Sequence, residues 1–308
     1  ESNGIKAELI QDMGVNLSKT EYSQAIKQTS KLIEELHDAR EYGSIINITK
    51  CDWDLLRRFA IPRCKDGQMK LDMSGEQEAS TRLQKLINIA EVMSQKYDVV
   101  VTNPPYMGGK GMTEKLNEFV KKYYPNSKTD LFACFIEKGN QMVVKNGYNC
   151  MVTMQSWMFI SSYKKMRMNI LNTRDITSLM HMDNMVMGIA FGTNVSVFRN
   201  SYLKGYKGTY SQIKLQDIEN NEVKNFPVLE NKFCCISSEC FKKITGCPIA
   251  YWVSNSMFNV FVNSNRIEDF AEGKKGFVTG DDNKYLRLWT EIGKGNFSVF
   301  GKFEDTKW

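Results

Sequence analysis

The sequence predicts an α/β protein built on a largely parallel sheet. Residues 97–106 read Tyr-Asp-Val-Val-Val-Thr-Asn-Pro-Pro-Tyr, a continuous β-branched run cut off by two prolines. Such a run is the pattern of a strand buried on both faces. Two further apolar runs, Tyr148 to Thr153 and Ile176 to Met182, have the same character. Segments with apolar residues at helical spacing lie before and between these strands, the order expected of helices packed on a sheet.

Before the first strand, residues 19–41 carry Ala25, Ile26, Leu32, Ile33, Leu36 and Ala39 as one stripe, with charges opposite. Cys51 to Ala60 fits a short helix with Asp52 or Asp54 near its start, and residues 75–95 fit a third, through Leu83, Leu86, Ile87, Ala90 and Met93. These helices are expected to form the crossover into the strand, and their stripes are core. Pro104 and Pro105 have no N–H for a ladder, so the strand must stop. It thereby delivers Asn103 and Tyr106 to the carboxyl edge of the sheet, where open α/β folds place their ligands.

Beyond this point Gly108, Gly109 and Gly111 make a loop, either a lid or a simple turn before a helix from Thr113. Asp130 to Val144 and Lys164 to Leu171 fit helices, and Gln155-Ser-Trp-Met-Phe follows the second strand. Thr193 to Phe198 alternates like a hairpin strand, with Gly192 permitting a tight approach before it. Tyr202 to Ile213 suggests further strands, and 217–232 is polar and loop-like.

The chain has 308 residues, 42% hydrophobic and 25% charged, enough for one large domain or two smaller ones with ample core. No apolar run approaches the ~20 residues of a membrane span, and no signal peptide opens the sequence. Eight cysteines and two histidines form no CxxC pair, and Cys234, Cys235, Cys240 and Cys247 lack zinc spacing. Reduced thiols in a cytoplasmic protein, with no metal and no membrane, are the expectation. The net charge of +6 alone does not indicate nucleic acid. Lysines 110, 115, 121, 122 and 128 nevertheless follow the Asn-Pro-Pro-Tyr segment against only Glu114 and Glu118, where a phosphate backbone could pass. Lys164, Lys165, Arg167 and Arg174 form a second basic cluster. Either cluster equally fits a solvated helix face.

The chemistry of the motif is specific. The Asn103 amide oxygen and the Pro104 carbonyl are neighbouring acceptors, suited to a planar NH₂ with two donors such as the exocyclic amine of adenine or cytosine. That amine is a poor nucleophile because its lone pair is delocalised into the ring. Acceptors fixed in advance return electron density to the nitrogen and favour its attacking geometry. Tyr106, held after two prolines, offers a face on which a base can stack, an interaction worth about 1–3 kcal/mol.

This stretch resembles the catalytic motif of the amino-group DNA methyltransferases. With Met-Gly-Gly-Lys-Gly-Met after it and Lys-Thr-Asp-Leu-Phe-Ala-Cys-Phe-Ile-Glu-Lys-Gly at 128–139, it is similar to the N6-adenine branch. It is most similar to the large adenine methyltransferases of BREX phage-defence systems (PglX) and to type IIG restriction-modification enzymes. Phe277 to Trp289 looks like the entry to their target-recognition region.

The resemblance implies the catalytic half of a doubly wound, Rossmann-like methyltransferase sheet. It implies methyl transfer from S-adenosylmethionine to N6 of an adenine flipped out of double-stranded DNA. Asn103, Pro104 and Tyr106 would be catalytic, Pro105 and Phe191 would bind the target base with Phe191 completing a sandwich, and Asp130, Leu131 and Phe132 would border the cofactor. Other defence-system proteins are implied as partners. The expected division is 1–96 leading into the catalytic strand, 97–245 the catalytic half, and 246–308 the start of the recognition region. In the family a glycine-rich cofactor turn precedes the motif, and no Gly-x-Gly occurs here before residue 97. An internal fragment, inactive alone, is therefore expected. Cytosine-N4 methylation, protein-glutamine methylation and a non-catalytic DNA-binding or defence scaffold are the alternatives.

Overall fold

The computed structural model describes Ile10, residues 13–62, 75–220, 222–225 and 227–273, and the single positions 280, 281, 284, 286, 288 and 291. The chain divides into two compact units, Glu1–Val262 and Asn263–Trp308. The segment Phe277 to Trp289, expected to open the target-recognition region, lies mostly outside the described residues.

Three helices precede the sheet. Helix α1 (Lys19–Glu35) starts at a capping box in which Ser18 accepts from Glu21 N–H and Glu21 accepts from Ser18 N–H. It stops at Glu35, short of the expected residue 41, and a separate turn follows at Ala39–Tyr42. Helix α2 (Trp53–Phe59) is capped by Asp52, whose carboxylate accepts from Leu55 N–H. Helix α3 (Glu76–Ser94) leads straight into strand β1 (Tyr97–Thr102). Of the three, α3 is the one that adjoins β1, and no strand precedes it among the described residues. The three helices close on each other around Leu32, Leu56, Phe59, Leu83 and Ile87, a core distinct from that of the sheet.

From β1 the chain runs through helix α4 (Glu114–Tyr123), helix α5 (Leu131–Met142) and strand β2 (Val143–Met154). Helix α6 (Lys164–Thr173), strand β3 (Asp175–Met182), strand β4 (Thr193–Arg199) and strand β5 (Lys207–Ile213) follow. Strand β6 (Lys232–Ser237), helix α7 (Ser238–Lys242) and helix α8 (Asn255–Asn263) complete the sheet unit. A two-residue ladder, Ile218–Glu219 with Glu222–Val223, interrupts the segment expected to be loop.

The six strands lie in the order β1-β2-β4-β3-β5-β6. β1 is parallel to β2 and β3 to β5, whereas β4 runs antiparallel to both of its neighbours and β6 antiparallel to β5. Four strands therefore share one direction, and the α/β class holds. β4 pairs with β3 as a hairpin but also inserts between β3 and β2. That central position buries alternate residues from Thr193 to Phe198 more completely than a half-solvated hairpin would.

One expectation about β1 is overturned. Val100 packs on the main core, but Val99 is 55% and Val101 69% exposed. β1 is an outer strand, bonded only to β2 among the described residues, and one of its faces is uncovered. The β-branched run encodes a strand suited to burial; it does not encode what covers it.

Helix α5 packs on β2 through Gly139. A Cβ there would fall 2.5 Å from Met151 Cε and 2.7 Å from Asn149 Oδ1. Asn149 is fully buried and its amide donates to the Ile136 carbonyl and to Asn140 Oδ1, so it has little freedom to withdraw. Gly139→Ala is expected to cost about 1–3 kcal/mol by overpacking. The urea midpoint should fall accordingly, and an unchanged midpoint would show that this interface yields freely. On the opposite side of α5, buried Lys138 donates to the Ile46 carbonyl (2.6 Å) and to Asn47 Oδ1 (3.0 Å). Burial pushes its ammonium pKa down to about 8.

Candidate active site

The parallel register of β1 and β2 ends at Thr102 opposite Met151, so Asn103 is the first residue past the ladder. Pro104 is buried and anchors the turn, while Asn103 and Pro105 are exposed. The Asn103 amide touches protein only through its oxygen, 3.4 Å from the Tyr106 hydroxyl, among the described residues. That hydroxyl lies closer to the Val152 carbonyl of β2, at 3.2 Å, and having one proton it donates there more effectively. Asn103 is thus left as an uncommitted acceptor at the sheet edge.

Tyr106 is half-buried, and burial holds its hydroxyl pKa above the usual range, so it stays a neutral donor. Its ring meets Phe132 edge-on at 6.0 Å and 83°, and Phe191 at 5.8 Å and 66°. Phe191 sits on the 183–192 connection between β3 and β4, which places it across the motif as expected. The two rings touch each other, however, rather than framing a gap. A base stacked between them needs parallel rings about 7 Å apart, two contacts of about 3.5 Å. Phe191 must therefore swing outward to admit one.

The loop after Tyr106 is a built turn. Met107 N–H donates to Asp130 Oδ1 (2.9 Å), Leu131 N–H to the Met107 carbonyl (3.0 Å), and Gly111 N–H to the Gly108 carbonyl (2.8 Å). Asp130 also caps α5 by accepting from Phe132 N–H at 3.3 Å. Burial raises its carboxyl pKa, opposed by these N–H bonds. Leu131 and Phe132 are buried, Phe132 against the Tyr106 ring and Leu131 in a separate cluster with Met107, whereas Asp130 stays half-exposed.

Of the two basic clusters, the first is exposed at all five lysines, with Lys115 paired to Asp38 at 3.1 Å. The second departs from a solvated face. Arg167 is 1% exposed, and its guanidinium donates to the carbonyls of Trp157, Ile160 and Gly246. Arg174 donates to the Asn140 carbonyl.

Two residues not anticipated from the sequence join the site. Gln155 directly follows β2, as Asn103 follows β1, and its amide oxygen meets His181 Nε2 at 2.5 Å. His181, buried on β3, meets the Tyr251 hydroxyl through Nδ1 at 2.9 Å. The position of Gln155 after an apolar run was a usable signal; its pairing with His181 requires the sheet order.

Residues 9–186 match the Eco57I restriction-modification methylase family. The chain belongs to that family. Among curated relatives, the adenine-specific methyltransferase BrxX of Escherichia coli O9:H4 (strain HS) is 33% identical over 302 residues, covering 96% of this chain and 24% of that protein. The adenine-specific methyltransferase PglX of Lacticaseibacillus casei (strain Zhang) is 32% identical over 267 residues, covering 82% and 22%. The chain thus spans about a quarter of the length of these family relatives. Among solved structures, a class I S-adenosylmethionine-dependent methyltransferase from Listeria monocytogenes aligns at 12% identity over 50% of this chain and 48% of its own, with TM-score 0.35. The M protein of the type I restriction enzyme EcoKI aligns at 11% over 48% and 35%, with TM-score 0.31. No described helix is long and apolar enough to cross a membrane.

Proposed function

We propose that this methylase-family chain carries the amine-activating half of a cytoplasmic DNA adenine-N6 methyltransferase of a BREX or restriction-modification system. The observation that carries this reading is the exposed, uncommitted Asn103 amide beside Tyr106 at the end of β1. Asn103 Oδ1 and the Pro104 carbonyl accept the two hydrogens of the adenine amine, and Tyr106 and Phe191 stack on the ring. Extruding the base from the duplex costs a few kcal/mol, which stacking and the amine contacts offset. Exposed Lys110, Lys121, Lys122 and Lys128 are placed to meet phosphates. We also propose that the segment expected from residue 246 opens the target-recognition region, and that other defence-system proteins are partners.

When bound, S-adenosylmethionine supplies the electrophilic methyl group. The described residues fit one wall of its site: Asp130 half-exposed beside the catalytic turn, with Leu131 and Phe132 packed behind it. The sequence has no Gly-x-Gly before β1, where the family's cofactor turn is expected. This chain's own part is to grip and orient the amine; the proton that N6 loses passes to solvent, since neither the Asn103 amide nor the Pro104 carbonyl is basic enough to keep it.

The test is nucleoside analysis of DNA from cells expressing the full-length protein, with mapping of the modified base. N6-methyladenine at one sequence context is the expected result. N4-methylcytosine, or unmodified DNA with a methylated protein, would overturn the reading.

A further inference from the structure

Gln155 is fixed on every side by interactions that do not involve substrate. Before it, buried Asn194 of β4 donates to Thr153 Oγ1 (3.2 Å) and to the Met154 carbonyl (3.1 Å). After it, Arg167 holds the carbonyls of Trp157 (2.8 Å) and Ile160 (2.7 Å). Its own N–H donates to the Gly192 carbonyl at 3.0 Å. Its flat amide lies across Gly192, where a Cβ would fall 2.5 Å from Cδ and Oε1 and 2.6 Å from Nε2. The next residue back along that loop is Phe191, in ring contact with Tyr106.

With its oxygen towards His181, the amide is an acceptor there. Gln155 Oε1 can only accept, so His181 Nε2 must carry the hydrogen. In the neutral imidazole Nδ1 is then the acceptor, and it takes the Tyr251 hydroxyl. Burial lowers the His181 pKa, which favours that neutral form. With the amide turned over, the other neutral tautomer serves equally, Nε2 accepting from the Gln155 NH₂ and Nδ1–H donating to the Tyr251 hydroxyl. In either arrangement at least one Nε2 hydrogen of Gln155 has no partner among the described residues.

We propose that Gln155 reads the target base by donating from its NH₂ to a ring nitrogen of the base lodged between Tyr106 and Phe191. This rests on the methyltransferase reading and adds a specificity-determining residue to it. With the exocyclic amine held by Asn103 and Pro104, the atoms left on an adenine edge are ring nitrogens, all acceptors, and a fixed donor suits them. Guanine carries an oxygen in place of the amine, which would meet the Asn103 and Pro104 acceptors, and a hydrogen on N1, which would meet the Gln155 donor where N1 is the nitrogen read. His181 and Tyr251 act as positioning residues, because they tether the amide in place.

The experiment uses the full-length protein and a duplex carrying its mapped site, with adenine or its 1-deaza, 3-deaza or 7-deaza analogue as target. The wild type should lose about tenfold in kcat/KM with one of the analogues, the effect of one buried hydrogen bond. Gln155→Ala should lose about the same with adenine and nothing further with that analogue. Gln155→Glu keeps the shape and the acceptor for His181 but has no NH₂, so it should also lose about tenfold or more while melting near the wild-type temperature. Near-native methylation by Gln155→Glu, or an analogue penalty of the same size in Gln155→Ala, would overturn the inference and leave a purely structural role. A wild type that methylates no adenine would overturn the parent reading instead, and the inference with it.

Discussion

Asn103→Ala is expected to reduce adenine methylation by about two to three orders of magnitude, as removal of one preorganised polar group does elsewhere, while DNA affinity changes little. The residue is exposed, and its amide makes one long contact to Tyr106, so truncation leaves the fold intact. What disappears is one of two acceptors that draw the amine hydrogens, and the Pro104 carbonyl alone does not impose the attacking geometry. Phosphate contacts dominate affinity, and those proposed above are made by the exposed lysines rather than by Asn103. Transfer of a labelled methyl group to a site-containing duplex reads the first effect, and fluorescence anisotropy with the same duplex reads the second. Normal turnover by the variant would remove Asn103 from the mechanism. Asn103→Asp restores two acceptor oxygens, but as a charge, and should recover only part of the rate.

The sequence carried the catalytic strand and its motif because both are local. A β-branched run followed by two prolines fixes where a strand ends and which residues stand at its tip. The caps at Ser18, Asp52, Thr113 and Asp130 are local in the same sense, and the helices start within a residue or two of where they were expected. What failed to show was long-range. The exposure of Val99 and Val101 depends on what lies beside β1. The central place of β4 depends on a chain reversal that inserts it between β2 and β3. Gln155 and His181 are 26 residues apart and meet only because β2 and β3 flank β4. Phe191 was found by resemblance rather than by pattern, and its edge-on contact with Tyr106 could not be read from spacing.

Arg167→Met is expected to destabilise the sheet unit by about 3–5 kcal/mol, the range for removing one partner of a buried charged hydrogen-bond set. In sequence Arg167 belongs to a basic cluster on a helix; in the fold its guanidinium points inward and makes four hydrogen bonds to three carbonyls. Methionine keeps most of the apolar bulk, so the loss comes from leaving the carbonyls of Trp157 and Gly246 without their Arg167 donor and the Ile160 carbonyl with Tyr163 N–H alone. At roughly 2–4 °C per kcal/mol for a domain of this size, the melting temperature should fall by about 10 °C. Lysine is long and charged but lacks the planar fork, so Arg167→Lys should fall between the two. A shift below 2 °C in Arg167→Met would mean that the carbonyls find water instead. Two of those carbonyls flank the turn that carries Gln155, so the same variant has a second readout. Well below its melting temperature it should already methylate poorly, because the donor aimed at the base is no longer held in place.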